Sequence, residues 1–311
     1  MPSNETVTAF LVPLTMFLQL LWIRFNHRLT YLRRPPPQWI SSMSTYETNP
    51  SASFRNKIVI LGDDFAYGIG DHVSMGDSPG LASHLRRALR SEKLLRQSWV
   101  VYNCGVRKST SEQWLDSFGG GEGGGQQWST PSTKSLFAKV FDNPRYSDAD
   151  SVIIFLGFND SRYPQPSPAR RISAESTRPS LTPDQTIQNL SAITRVLRAM
   201  GKDVWVLPVA TFGDHKHVKE IGEGNIQRNE MILELGNNLH PPRPTSDKSD
   251  VQVGPRIDML HYEYRGKRLY WLDGEHFSSA GYKKLAKDLA DQMATSLVKR
   301  EFAKFREQLG M

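Results

Sequence analysis

Short polar motifs follow the apolar runs of this 311-residue sequence, and their residue types are suited to chemistry. The first motif, Gly62-Asp63-Asp64, ends the apolar run Ile58–Leu61. A buried strand with such an ending presents a polar side chain at its carboxyl end, where ligands bind in open α/β sheets. Three further motifs come later in the chain: Asn103-Cys104-Gly105, Gly157-Phe158-Asn159-Asp160 and Asp273-Gly274-Glu275-His276. Carboxylate, amide and imidazole groups of this kind serve acyl transfer, which needs a base and donors for a developing oxyanion.

In this order the four motifs resemble blocks I, II, III and V of the SGNH (GDSL-type) hydrolases. The resemblance extends from residue 57 to about residue 290 and implies a three-layer α/β/α sandwich around a mostly parallel, five-stranded, flavodoxin-like sheet. It also implies hydrolysis of lipid or acylated-sugar esters without a cofactor or a metal. By the family's pattern, the Gly105 N–H and the Asn159 amide bind the oxyanion or substrate. His276 is the catalytic base, and Asp273 orients it.

The sequence departs from the family at block I, where Asp64 occupies the position of the nucleophilic serine. A carboxylate that attacks an ester gives an anhydride, so the first reading is a reduced or altered esterase, a possible pseudoenzyme. In the second reading Asp64 attacks another kind of carbon and His276 activates water to release the product. The third reading is a non-catalytic module that binds an acyl or glycan ligand, because fold does not fix function.

Strand-like and helix-like segments alternate, which favours a parallel sheet covered by helices. The strand-like runs are Ile58–Leu61, Trp99–Tyr102, Val152–Leu156, Val204–Val209 and a weaker one near Ile257–Leu260. Helical periodicity occurs at Leu81–Leu95, Thr186–Met200, Ile226–Leu239 and Gly281–Phe305. Segments rich in Gly, Pro or Ser at 119–125, 163–183 and 241–250 are expected to form loops.

The sequence predicts three parts: an apolar anchor segment at 1–30, a Pro/Ser-rich linker at 31–55 and a hydrolase-like domain at 56–311. The apolar run Val7–Ile23 would be roughly 25 Å long as a helix, slightly short of a bilayer core of about 30 Å. Basic residues follow the run at Arg24, Arg28, Arg33 and Arg34. By the positive-inside tendency this predicts a single N-terminal transmembrane helix with a cytosolic C-terminal domain. An interfacial helix or a targeting segment is the alternative.

The composition excludes some partners. The formal net charge of +7 is modest, and the sequence has no zinc-finger spacing or aromatic-basic motif, so nucleic acid is not expected as a partner. The single cysteine, Cys104, excludes an intramolecular disulfide and is expected to be a small core residue. The expected partners are a small-molecule or lipid ester and a membrane; the oligomeric state is not indicated.

Overall fold

The computed structural model describes residues 55–71, 80–115, 134–161, 180–210, 219–239, 251–257, 269 and 276–310. Five strands form one sheet in the order β2-β1-β3-β4-β5, and each of the four pairings is parallel. The strands are β1 Arg55–Gly62, β2 Ser98–Gly105, β3 Ser151–Phe155, β4 Asp203–Val206 and β5 Val251–Val253. This confirms the α/β class and the five-stranded sheet expected from the sequence.

Seven helices lie in the described part of the chain. They are α1 Asp64–Tyr67, α2 Leu81–Ser91, α3 Leu136–Phe141, α4 Pro144–Ser147, α5 Pro183–Ala199, α6 Lys219–Leu239 and α7 Ser279–Gln308. Helix α2 packs on β2 and α7, whereas α5 packs on β4 and α6. All five residues of β3 are buried. Because successive side chains of a strand point to opposite faces, both faces of the sheet are covered there, giving three layers.

The register of β1 with its two neighbouring strands places three of the four motifs at one edge. Gly62 at the end of β1 is paired with Gly105 of β2 on one side and Phe155 of β3 on the other. Parallel strands in this register end together, so the residues that follow them share the carboxyl edge of the sheet.

The helices that flank this edge begin at recognisable caps. Thr182 and Gln185 form a reciprocal capping box at the start of α5, with Pro183 in the first turn. Ser278 accepts a hydrogen bond from the Gly281 N–H and caps α7 two residues after His276. The cap therefore fixes where the last motif ends and the long helix begins.

Strand β5 lies at Val251–Val253 and was not predicted from the sequence; of the weaker run near Ile257–Leu260, Ile257 is not in a strand and residues 258–260 lie outside the described residues. A three-residue edge strand is too short to show a clear period in the sequence. The short helices α3 and α4 were not predicted for the same reason. Residues 1–54, with the predicted anchor and nearly all of the linker, lie outside the described residues. Among the residues that are described, no helix is long and apolar enough to cross a membrane.

Candidate active site

Asp63 braces the turn that follows β1. Its Oδ1 accepts a hydrogen bond from the Phe65 N–H at 3.2 Å and caps α1, while its Oδ2 accepts from the N–H groups of Gly157 and Phe158 at 3.1 and 2.9 Å. Burial and the neighbouring Asp64 carboxylate raise the pKa of Asp63 well above its usual range, although the Phe65 and Phe158 N–H groups oppose the shift. The side chain thus ties the first motif to the third.

Asp64, at the first position of α1, is 2% exposed. Its Oδ1 accepts a hydrogen bond from the Lys108 N–H at 3.0 Å and lies 3.8 Å from Nε of Arg107. Lys108 has φ = +57°, the only positive value among the described residues other than glycine. The loop after β2 therefore adopts an uncommon backbone conformation at the position where it donates to the Asp64 carboxylate.

The Gly105 N–H, the first expected oxyanion donor, is engaged by a side chain of its own strand. It donates to Oδ1 of Asn103 at 2.9 Å, and Nδ2 of Asn103 donates to the Tyr67 carbonyl at 3.3 Å. A Cβ at Gly105 would lie 2.3 Å from the Tyr67 nitrogen, so only glycine fits at this contact between β2 and α1. The close approach supports the assignment of the second motif, but it leaves the N–H with a protein acceptor.

Asn159, the second expected donor, is 8% exposed and begins a 3₁₀ turn, Asn159–Ser161, beyond β3. Its Nδ2 donates to the Ser109 carbonyl at 3.3 Å, which uses one of the two amide hydrogens. The adjacent Asp160 is fully buried and accepts from Ser111 N, Ser111 Oγ and Thr186 Oγ1 at 2.8, 2.5 and 2.8 Å. Asp160 therefore fixes the turn that carries Asn159.

His276 lies against the same turns. Its ring centroid is 5.4 Å from that of Phe65 and 5.5 Å from that of Phe158, and the side chain is 6% exposed. These two phenylalanines directly follow Asp64 and directly precede Asn159, so the last motif meets the first and the third. Asp273, expected to orient His276, lies outside the described residues.

Sequence reasoning missed a second polar cluster, formed by Asp71, His84 and Ser279. His84 Nε2 lies 2.9 Å from Oδ2 of Asp71 and 3.4 Å from Oγ of Ser279, and the Gly80 N–H donates to the same Asp71 oxygen at 2.9 Å. The cluster joins α2, Asp71 beyond α1 and the start of α7. Sequence spacing did not reveal it, because Ser279 is far along the chain from Asp71 and His84.

Taken together, the structure gathers Asp64, Gly105, Asn159 and His276 around one edge of the sheet. Within the described ranges, no group of three or more His, Cys, Asp or Glu side chains could hold a metal ion. Cys104, beneath this edge, is fully buried, and burial raises the pKa of its thiol well above its usual range. As expected from the sequence, it is a core residue. The arrangement has the groups of an acyl-transfer site, with a carboxylate where a hydroxyl would attack.

A family model described as GDSL-like Lipase/Acylhydrolase matches residues 58–289, well over half of the chain. The chain belongs to this family. The family and the parallel five-stranded sheet agree with what the sequence resemblance implied. No curated protein matches the sequence.

Solved structures of a lipase/acylhydrolase and two esterases resemble the fold. The lipase/acylhydrolase from Enterococcus faecalis is 16% identical with a TM-score of 0.50, and the match covers 78% of this chain and 96% of that protein. Est24, a carbohydrate acetylesterase from Sinorhizobium meliloti, is 14% identical with a TM-score of 0.47 and coverages of 77% and 99%. The inhibitor-bound aryl esterase of M. smegmatis is 16% identical with a TM-score of 0.46 and the same coverages. At these identities the likeness concerns the fold.

Proposed function

We propose that this GDSL-family protein hydrolyses esters far more slowly than a serine-containing member, because Asp64 replaces the nucleophile. The observation that carries the proposal is the 3.0 Å hydrogen bond from the Lys108 N–H to Asp64 Oδ1. A carboxylate that accepts a backbone N–H and lies 3.8 Å from the Arg107 guanidinium has its negative charge partly compensated. It is a weaker nucleophile, and its attack on an ester would give an anhydride.

The Gly105 N–H supports the same proposal. An oxyanion donor contributes roughly 3–4 kcal/mol to transition-state stabilisation when it is preorganised and aimed at the developing charge. Here the N–H already donates to Asn103 Oδ1, so a substrate oxygen would have to displace that side chain. Together, the two contacts favour a site that retains affinity for an acyl group and turns it over slowly.

The proposal is tested by restoring the hydroxyl. We expect Asp64→Ser to raise hydrolysis of short-chain nitrophenyl esters at least about tenfold, because a Ser-His pair then supplies the attack. Asp64→Ser combined with His276→Ala should abolish the gain. Asp64→Asn, which removes the charge without adding a hydroxyl, is the matched control and should remain as slow as the wild type.

Other outcomes of this assay identify the alternative functions. If the wild type hydrolyses esters rapidly and Asp64→Asn abolishes the activity, Asp64 is itself catalytic and the proposal is wrong. An Asp64 nucleophile would also leave a covalent adduct in His276→Ala, an anhydride from an ester substrate or an ester from attack on another kind of carbon, which mass spectrometry of the intact protein detects as added mass. If every variant is inactive but binds a phosphonate ester mimic, the protein is an acyl-binding module.

We propose further that the apolar run Val7–Ile23 tethers the protein to a membrane, with the hydrolase-like domain on the cytosolic side. The support is the length of the run and the arginines that follow it, Arg24 and Arg28 foremost. The full chain expressed in cells should stay in the membrane pellet after an alkaline carbonate wash. Replacing Leu11, Leu14, Leu18 and Leu21 by serine should release it, and release of the wild type by the wash would contradict a spanning segment.

A further inference from the structure

The C-terminal end of α7 carries exposed apolar side chains. Up to Glu301 the helix buries residues at helical spacing along one face, but Phe302 is 62% exposed and Leu309 is 55% exposed. These two are seven residues apart, about two turns, and therefore lie on the same side of the helix. Large apolar groups left in water at one place usually mark a contact surface.

The loop before β2, next to this end of α7, carries a further exposed apolar residue, Leu94. Glu301 accepts hydrogen bonds from Trp99 Nε1 at 2.8 Å and from the N–H groups of Gln97 and Arg96 at 3.0 Å each. These bonds hold the loop against the end of α7. Leu94, in the same loop, is 58% exposed. We define Leu94, Phe302 and Leu309 as the apolar end surface.

Positive charge surrounds the apolar end surface. Four basic side chains at this end are exposed: Lys93, Arg96, Lys299 and Arg306. Two more on α7 are directed inward, where Lys304 Nζ lies 3.1 Å from Asp150 and Arg300 Nε lies 3.8 Å from it. Glu307 is the exposed acid of the last turns, so the exposed charge is net positive. Apolar and basic side chains in this combination match a bilayer that contains anionic lipids.

The first strand of the domain begins at the same end of the sheet as the apolar end surface. Strand β1 begins at Arg55, which is paired with Ser98, and Asn56 Nδ2 donates to Gln97 Oε1 at 2.7 Å. Strand β1 therefore begins at the amino edge of the sheet, next to the loop that carries Leu94. Asp64 and Asn159 lie at the carboxyl edge, on the opposite side.

We propose that the apolar end surface docks on an anionic lipid bilayer, with Leu94, Phe302 and Leu309 at the headgroup level and the four basic side chains against lipid phosphates or carboxylates. The proposal deepens the membrane tether proposed above and names a second contact with the same membrane. Docking in this orientation leaves the candidate active site facing away from the bilayer, towards ligands in the aqueous phase.

The test separates this contact from the tether. The full chain with the four leucine-to-serine changes in the apolar run is mixed with phosphatidylcholine vesicles with or without 30 mol% phosphatidylserine, a composition chosen as a cytosolic-leaflet mimic. We expect sedimentation with the anionic vesicles only. Phe302→Ser with Leu309→Ser, and separately Lys299→Glu with Arg306→Glu, should each weaken that partition at least about tenfold. The controls are Lys283→Glu with Lys287→Glu, on exposed positions of the same helix, and Ile226→Ser, on an exposed apolar residue of α6.

Three results would overturn the proposal. The first is equal binding to neutral and anionic vesicles, and the second is unchanged binding in both test variants. The third is dimerisation in light scattering that Phe302→Ser with Leu309→Ser abolishes, since a second copy would then occupy the surface. The chain with an intact apolar run tests the tether by its retention on neutral vesicles, so the two proposals fail separately.

Discussion

His84 and Asp71 form a buried pair in which Nε2 of the histidine lies 2.9 Å from Oδ2 of the aspartate. Burial alone would raise the pKa of Asp71, but the hydrogen bonds from His84 and Gly80 and the charge of His84 outweigh it and lower the pKa to about 2. The pair lies where α2 meets the residues that follow His276. It therefore joins α2 to the first residue of α7, Ser279.

This pair predicts a pH-dependent contribution to stability. The folded pKa of about 2 is below the ordinary aspartate value of about 3.9, so the stabilisation is complete above pH 3.9 and is lost as the pH falls towards 2. We expect the difference in unfolding free energy between wild type and Asp71→Asn, measured with urea from pH 3 to 6, to shrink at the acid end. Asp142→Asn, at an exposed carboxylate, is the control. A difference in unfolding free energy that does not change with pH would contradict a stabilising contribution from this pair.

Asp63 should be more important for folding than for chemistry. Asp63→Ala removes the acceptor of three backbone N–H groups, and we expect it to lower the free energy of unfolding by about 2–4 kcal/mol. Asp184→Ala, at an exposed aspartate in the first turn of α5, should cost less than about 1 kcal/mol. Urea denaturation of both variants measures the difference. Equal effects would show that Asp63 does not brace the turn.

Gly105 should not tolerate a methyl group. The added Cβ of Gly105→Ala would lie 2.3 Å from the Tyr67 nitrogen, a backbone atom that cannot rotate away. We therefore expect the free energy of unfolding to fall by about 3 kcal/mol or more. The added Cβ of Gly201→Ala would meet no atom within 4 Å, and only the φ of +73° would strain it. We therefore expect this variant to lower the free energy of unfolding by about 1–2 kcal/mol. Thermal unfolding ranks the two. The reverse order would mean that β2 and α1 separate easily.

At Lys108 a change to glycine should stabilise the protein, because the φ of +57° is unfavourable for a residue with a Cβ. Lys108→Gly keeps the N–H that donates to Asp64 and should raise the free energy of unfolding by about 0.5–1 kcal/mol. Lys139→Gly, within α3, should instead lower it by about 1 kcal/mol. Chemical denaturation distinguishes the signs. Destabilisation by Lys108→Gly would show that the lysine side chain itself holds the loop.

The main features of the fold could be read from the sequence because each depends on a local pattern. The run Ile58–Leu61 is continuously apolar, as a strand buried on both faces requires, and the structure places it in β1. The period in Gly281–Phe305 predicted α7 to within a few residues. The fifth strand was not predicted, because Val251–Val253 is too short to show a period in the sequence.

The candidate site, like the fold, could be predicted only in part from the sequence. Residue types and their order, including an aspartate at position 64, could be read from the sequence, since motif spacing is a property of the chain alone. The contacts of each group could be read only from the folded structure: Asp64 accepts from Lys108, the Gly105 N–H donates to Asn103, and His84 meets Asp71. These contacts join residues through loop conformation and side-chain direction, which depend on the packing of distant segments.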